Sequence, residues 1–238
     1  MVSTDSQARI GLIIPSSNRL AEPQFNRYAP PDVTVHATRI RMTGKWHKPL
    51  GELQRPLEEA AAALSDVKPD VIVFHCTANS MENGLAGEAD IVETVQSATS
   101  CAAITVAQAI VQALRRLGVK KLVLVSPYVK KTNEHESRYL LASGFEVIHD
   151  VGLGLTSEGY SAVTPEEWIR VVSENARPEA DGYFLSCTNT RMIEAIRELE
   201  QRLDRPIVSS NQAALWACLK KLGVHHTDER LGRLFRDV

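Results

Sequence analysis

The chain has 238 residues, of which 44% are hydrophobic and 24% are charged, and its formal net charge is −2. It is long and apolar enough to bury a large core, and its near-neutral charge offers no basic surface to a polyanion, so nucleic acid is not an expected partner. No apolar run reaches membrane-spanning length, so no membrane partner is expected either.

The N-terminus and the cysteines indicate the cellular compartment. Residues 1–8 are polar and lead directly into a strand-like run, which is unlike a signal peptide. The four cysteines have no paired spacing, a pattern typical of a reducing compartment in which thiols stay free. We therefore expect a cytoplasmic protein.

Short apolar runs alternate along the chain with segments of helical periodicity. The predicted strands are Ile10–Ile14, Val33–Thr38, Val71–Phe74, Ala102–Val106, Lys121–Val125, Glu146–Asp150, Gly182–Leu185 and Pro206–Ser209. The predicted helices are Leu53–Ser65, Ala107–Leu117, Thr132–Ser143, Pro165–Asn175, Thr190–Arg202 and Gln212–Leu222. Such alternation indicates an α/β fold with parallel sheets flanked by helices.

One motif occurs twice in the chain. Residues 70–77 read DVIVFHCT and residues 181–188 read DGYFLSCT. In both segments an aspartate is followed by a short apolar run and then, six residues after the aspartate, by a Cys-Thr pair. Each apolar run has the length of a buried parallel strand, and each Cys-Thr pair comes where that strand should end and a helix begin.

The duplication extends beyond these motifs. Pro15 and Pro127 each follow a strand-like run and lie 112 positions apart, close to the 111 positions that separate Cys76 and Cys187. The repetition predicts two similar, pseudo-symmetric α/β domains with the active site in the cleft between them. We assign 8–111 plus 208–238 to the N-terminal domain, which carries the first cysteine, and 112–207 to the second.

Ligand sites of open parallel sheets form beyond the carboxyl ends of the strands. If both domains turn those ends inward, four segments converge on the cleft: Pro15 to Asn18, Cys76-Thr77, Pro127-Tyr128 and Cys187-Thr188. A helix N-terminus stabilises a thiolate, so we expect both thiols to have a lowered pKa. Facing thiols suit isomerisation without a cofactor, because one can attack or remove a proton while the other returns one. The alternative is two buried cysteines that only pack.

Five further residues are candidates for binding a substrate carboxylate. Thr77 and Thr188 offer hydroxyl and amide donors at the predicted helix starts, or serve as helix caps. Asn18 offers its side-chain amide, or is a turn residue. Tyr128 offers its hydroxyl, or is an ordinary buried ring. Asn133 either caps a helix or supports the site from behind.

The remaining cysteines and the histidines have no predicted catalytic role. Cys101 and Cys218 lack a reactive context and are interpreted as structural. His225 and His226 have no ligands at a metal-binding spacing, so we predict no metal. His75 should face away from Cys76, because neighbouring residues of a strand point to opposite faces.

At these residues the chain resembles the Asp/Glu racemase superfamily, in particular the branch of maleate cis-trans isomerases and arylmalonate decarboxylases. The resemblance covers nearly the whole chain and is carried by Gly11 to Pro15 with Asn18, Cys76-Thr77, Val125 to Tyr128 with Asn133, Leu185 to Cys187 and Pro206 to Ser210. It implies two α/β domains around one site, no metal or organic cofactor, and a small carboxylate or dicarboxylate substrate. A homo-oligomer is compatible with it.

The resemblance also implies a mechanism. Cys76 would add as a thiolate to a cis-alkene diacid and Cys187 would protonate the adjacent carbon. The decarboxylases of this branch lack a cysteine at the position of Cys76, which favours an isomerase here, while decarboxylation and racemisation by the same thiols stay open. The loop around Thr156 to Glu158 lacks the substrate-binding Asn of maleate isomerases, so the identity of the diacid is also open. Two lobes around a cleft would also suit a non-catalytic binding protein, but such proteins are usually exported, and the N-terminus unlike a signal peptide and the duplicated Cys-Thr pair count against this alternative.

Overall fold

The computed structural model describes residues 7–42 and 49–236. The first half of the described chain forms a parallel sheet of four strands, in the order β2-β1-β3-β4. These strands are β1 (Ala8–Pro15), β2 (Val33–Ile40), β3 (Val71–Phe74) and β4 (Ala103–Thr105). Its helices are α1 (Ala21–Tyr28), α2 (Leu50–Ser65), α3 (Thr77–Glu82), α4 (Gly84–Thr99) and α5 (Val106–Arg116).

The second half repeats this arrangement in a parallel sheet of order β6-β5-β7-β8. These strands are β5 (Lys121–Ser126), β6 (Glu146–Gly152), β7 (Gly182–Leu185) and β8 (Ile207–Ser209). Its helices are α6 (Lys130–Ala142), α7 (Pro165–Glu174), α8 (Ile196–Leu203) and α9 (Ser210–Leu222), with short 3₁₀ turns that include Tyr160–Ala162 and Met192–Ala195. The predicted α/β class with two similar halves is confirmed.

Equivalent strands carry the repeated sequence. Strands β3 and β7 hold the same place in their sheets, and Cys76 and Cys187 each follow one of them by two residues. The helices that follow β4 and β8 begin with matching capping boxes, Thr105 with Gln108 and Ser209 with Gln212. The internal symmetry read from the sequence therefore corresponds to matching topology.

The two halves share one hydrophobic core. Helices α5 and α9 pack against each other, and one continuous cluster of buried side chains includes residues of both sheets, such as Leu12 and Leu124. A second cluster lies between the first sheet and helices α2 and α4. Strand β8 pairs with β7 through Val208 and Ser209, so the second sheet extends slightly past position 207. The assignment of residues 208–238 to the first domain stays a prediction.

Helices α1 and α4 were not predicted from the sequence. In neither helix does the side chain of the N-cap residue itself make a capping hydrogen bond, and α4 contains Gly84 and Gly87, which weaken the helical signal. In the described part of the chain, no helix is long and apolar enough to cross a membrane.

Candidate active site

A cavity of about 480 Å³ lies at the carboxyl ends of the strands of both sheets. The first half contributes Pro15, Asn18 and Cys76 to its wall, and the second half contributes Tyr128, Cys187 and Thr188. All four segments predicted to converge on the cleft thus reach one cavity, which has both thiols in its wall.

Cys76 occupies the N-cap position of α3 and is almost completely buried. Its Sγ donates a hydrogen bond to the side-chain oxygen of Asn79 at 3.1 Å. Burial raises the pKa of this thiol to about 12, and a backbone hydrogen bond from Asn79 offsets only part of that rise. The expectation of a lowered pKa is therefore wrong, because desolvation of the thiolate outweighs the dipole of a six-residue helix.

Cys187 has the same burial and a strained backbone. Its φ of +124° lies in the region that favours glycine, and such strain in other residues concentrates at functional sites. The backbone N–H of Asn189 donates to Sγ at 3.3 Å. Burial raises the pKa of the thiol to about 12, opposed in part by the Tyr128 hydroxyl and by the Asn189 amide. Both cysteines are thus protonated at neutral pH. A thiolate forms at either position only when another group in the site stabilises its negative charge.

The helix predicted to begin at Thr188 is absent. Residues 188–191 form turns and bends, and the first helical residues are the 3₁₀ turn Met192–Ala195 that leads into α8. The positive φ of Cys187 is incompatible with the extended N-cap backbone seen at Cys76, so the two halves differ at this point. The Cys-Thr pairs are equivalent in the sheet, but only the first of them leads directly into a helix.

Asn18 and Thr188 join the two halves at the cavity wall. The Asn18 amide nitrogen donates to Thr188 Oγ1 at 3.0 Å. Its oxygen accepts the backbone N–H groups of Leu20 and Ala21 at 3.0 and 2.9 Å, which fixes the start of α1. The remaining donor capacity of Asn18 and Thr188 is therefore held in a defined orientation beside the two thiols.

Tyr128 forms an aromatic wall with Tyr160. The rings meet edge to face at a centroid distance of 5.4 Å. Burial raises the pKa of both hydroxyls, so each stays protonated and able to donate. The backbone N–H of Tyr128 donates to Ser126 Oγ at 3.0 Å, which orients the ring after β5.

Two predicted binding residues do not line the cavity. The Thr77 hydroxyl donates to Ser210 Oγ at 3.0 Å. Asn133 lies between the Ser126 hydroxyl and Asp150, whose carboxylate accepts its amide at 3.1 Å. These contacts favour a positioning role for both side chains, while direct substrate contact by either one stays a prediction.

Several residues of the site were not identified from the sequence. Asn79 and Asn189 contact the two sulfur atoms, and Lys131 and His135 bring basic side chains to the cavity wall from α6. The asparagines had a detectable signal, because each follows its Cys-Thr pair within two residues. The two α6 residues did not, because their position depends on how α6 packs.

The histidine beside Cys76 and the remaining cysteines lie outside this wall. His75 is fully buried with Nε2 at 2.7 Å from Asn211 Oδ1, and burial lowers its pKa to about 4, so the ring is neutral. Cys218 is buried within α9, and Cys101 lies just before β4 with partial exposure.

Within residues 7–42 and 49–236, no group of three or more His, Cys, Asp or Glu side chains could hold a metal ion.

Comparison with known proteins gives consistent matches over more than nine-tenths of the chain. A family model described as arylmalonate decarboxylase matches residues 10–235. A maleate isomerase from Geobacillus stearothermophilus is 28% identical over 91% of this chain and 92% of its own length. An arylmalonate decarboxylase from Bordetella bronchiseptica is 26% identical over 92% of each chain. The crystal structure of a maleate isomerase from Pseudomonas putida S16 with maleate superposes with a TM-score of 0.90 at 25% identity, over 97% of this chain and 98% of that one.

Proposed function

The chain belongs to the arylmalonate decarboxylase family, and we propose that it is a cofactor-independent isomerase that converts a cis-alkene dicarboxylate of the maleate type into its trans isomer. The observation that carries this proposal is the presence of Cys76 and Cys187, which follow equivalent strands, in the wall of one cavity. The similarity to maleate isomerases over nine-tenths of the chain supports the choice of substrate class.

The first step forms a covalent adduct. The Cys76 thiolate attacks one alkene carbon, a C–S bond forms, and the π electrons move to the neighbouring carbon and its carboxylate. The Cys187 thiol protonates that neighbouring carbon and becomes a thiolate. The former double bond is now a single bond, about which the adduct can rotate.

The second step reverses this chemistry after rotation. The Cys187 thiolate removes a proton from the same carbon, the double bond forms again, and the C–S bond breaks to release the Cys76 thiolate. The negative charge starts on Cys76, passes through the substrate to Cys187 and returns to Cys76. The reaction therefore balances with these two thiols once Cys76 has released one proton to solvent.

The surrounding donors suit the charge that develops on the carboxylate. Asn18, Tyr128 and Thr188 line the cavity with fixed polar groups, and preorganised donors stabilise an enediolate-like species without reorganisation. Lys131 brings positive charge to the same wall, where a second carboxylate can bind, and the His135 ring offers a further donor there.

Proton NMR of the purified protein with maleate in D₂O tests the proposal. We expect the maleate signal to decay and a fumarate signal to appear. Unchanged maleate at catalytic protein concentrations would rule out maleate as substrate and lead to tests of substituted cis-diacids. No turnover of any cis-diacid would refute the proposed reaction.

Decarboxylation of a substituted malonate is the second candidate, because the matching family model is that of arylmalonate decarboxylase. Loss of carbon dioxide leaves an enediolate that a single thiol, Cys187, would protonate. The two reactions are separated by Cys76→Ser, which should abolish isomerisation but leave decarboxylation largely intact.

A further inference from the structure

Glu136 is a buried acid beside the active site to which the reaction above gives no role. It is a buried residue of α6, a helix that packs against α3, which begins directly after Cys76. The residue is fully buried, and neither carboxyl oxygen has a hydrogen-bond partner among the described residues. The hydroxyl of Ser186, the residue before Cys187, is likewise buried and unpartnered. Burying such groups without partners is costly, so the position needs an explanation.

The carboxyl group acts electrostatically on the whole catalytic centre. A negative charge on Glu136 would raise the pKa of four groups of the site, namely Cys76, Cys187, Tyr128 and Tyr160. It is therefore near enough to both sulfur atoms to oppose a thiolate on either one.

Other charged groups around α6 are engaged elsewhere or face the cavity. The Tyr139 hydroxyl donates to Glu88 of α4, and Asn133 donates to Asp150 of β6. Asn79 donates to Glu82 of α3 at 3.3 Å, and this carboxylate also acts on Cys76. Lys131 and His135 of α6 itself line the cavity. Among the described residues, no cation contributes to the pKa of Glu136.

Burial sets the charge state of this carboxyl group. Desolvation raises the pKa of Glu136 to about 8. The nearby Ser186 hydroxyl, which makes no hydrogen bond of normal geometry to the carboxyl group, favours the ionised form and offsets this rise only in part. The side chain is therefore a neutral acid at neutral pH. In that state it exerts no net charge on the thiols, whereas its ionised form repels a thiolate at either position.

We propose that Glu136 is a positioning residue that controls the charge of the active site: as a neutral acid buried beside the site it permits a thiolate on either cysteine, and when it ionises it drives both thiols back to the protonated form. The relevance to turnover rests on the proposed function, but the effect on the thiols does not. A unit charge at buried separations of several ångströms changes a thiolate fraction about tenfold.

Alkylation of the thiols by iodoacetamide between pH 6 and 10 tests this proposal. Rates at Cys76 and Cys187 are followed by mass spectrometry in the unaltered protein, in Glu136→Gln and in Glu134→Gln, which alters an exposed acid on the same helix. Above about pH 8.5, we expect both cysteines of Glu136→Gln to react about tenfold faster than in the other two proteins, with similar rates below pH 7. Cys101, whose pKa does not depend on Glu136, serves as an internal reference for folding.

Two results would overturn the proposal. Equal rates in all three proteins would show that Glu136 does not act on the thiols, and slower alkylation in Glu136→Gln would instead identify Glu136 as a base. If the variant does not fold, infrared spectroscopy of the unaltered protein decides: a protonated-carboxyl band must be present at pH 7 and be lost through about pH 8. Because alkylation needs no substrate, a failure to turn over maleate would refute only the proposed function.

Discussion

The hydroxyl of Thr77 donates a hydrogen bond to Ser210 Oγ at 3.0 Å, and the same oxygen accepts the backbone N–H of Cys187 at 3.1 Å. One side chain at the start of α9 thus connects the two Cys-Thr motifs. The strained φ of Cys187 is held in place partly by this contact.

Removal of that oxygen should therefore disturb both the fold and the site. Ser210→Ala leaves two buried donors without an acceptor, and we expect a loss of about 1–3 kcal/mol in the free energy of unfolding. Turnover should fall as well, because the backbone of Cys187 is no longer fixed. Urea unfolding with Ser97→Ala, an exposed serine of α4, as the control measures the effect; equal stability of the two variants would contradict it.

The two catalytic thiols should be individually essential. Because each has a distinct step, Cys76→Ser and Cys187→Ser should each lower kcat for cis-trans isomerisation by about 1,000-fold or more, while circular dichroism and unfolding stay near those of the unaltered protein. Cys101→Ser, which alters a cysteine outside the cavity wall, should retain near-normal activity. Substantial activity in either of the first two variants would refute the two-thiol reaction.

Gly152 is required at the end of β6. A Cβ there would come within 2.4 Å of the Tyr128 carbonyl oxygen and 3.1 Å of Asn133 Nδ2. Gly152→Ala should therefore displace Tyr128 and reduce kcat/KM about tenfold or more, with a loss of about 1–3 kcal/mol in stability. Gly51→Ala in α2 meets no atom within 4 Å and should be neutral or slightly stabilising; steady-state kinetics and thermal unfolding of both variants provide the comparison.

Lys131 should contribute to the binding of a dianion. It lines the cavity from the first turn of α6, and a positive charge there attracts a carboxylate in both the bound substrate and the transition state. Lys131→Gln should raise KM several-fold with little change in kcat, and the remaining KM should depend less on salt. The matched control is Lys130→Gln, whose side chain pairs with Glu134 on the surface; an equal rise in KM would remove the specific role of Lys131.

The buried acid should also make stability depend on pH. The folded-state pKa of Glu136 is raised from 4.5 to about 8, so between these values the folded protein keeps a proton that the unfolded chain has lost. Its contribution to stability is complete below the unfolded-state value and is lost as pH rises through about 8, on the order of a few kcal/mol in all. Urea unfolding from pH 5 to pH 9 should therefore show this decline relative to Glu136→Gln, and parallel profiles would contradict it.

Much of the architecture was predictable because its causes are local. All eight predicted strands are present within two residues of their expected ends, since buried parallel strands are continuous apolar runs between turn residues. The helix predicted at Thr190–Arg202 begins instead as the 3₁₀ turn Met192–Ala195 and continues as α8. The wrong prediction at Thr188 arose because the strained φ of Cys187 depends on contacts with residues far along the chain, such as Ser210.

The sequence by itself determined the α/β class, the internal repeat and the two Cys-Thr motifs. Strand length, helical periodicity and repeated spacing can all be recognised from the order of residues along the chain. Only the tertiary structure decided which of the predicted residues face the cavity and which, like Thr77 and Asn133, support it from behind. It also decided the protonation of the site, because burial of Cys76, Cys187 and Glu136 is a property of elements packed together. Desolvation depends on everything that surrounds a group, and no local pattern in the chain encodes it.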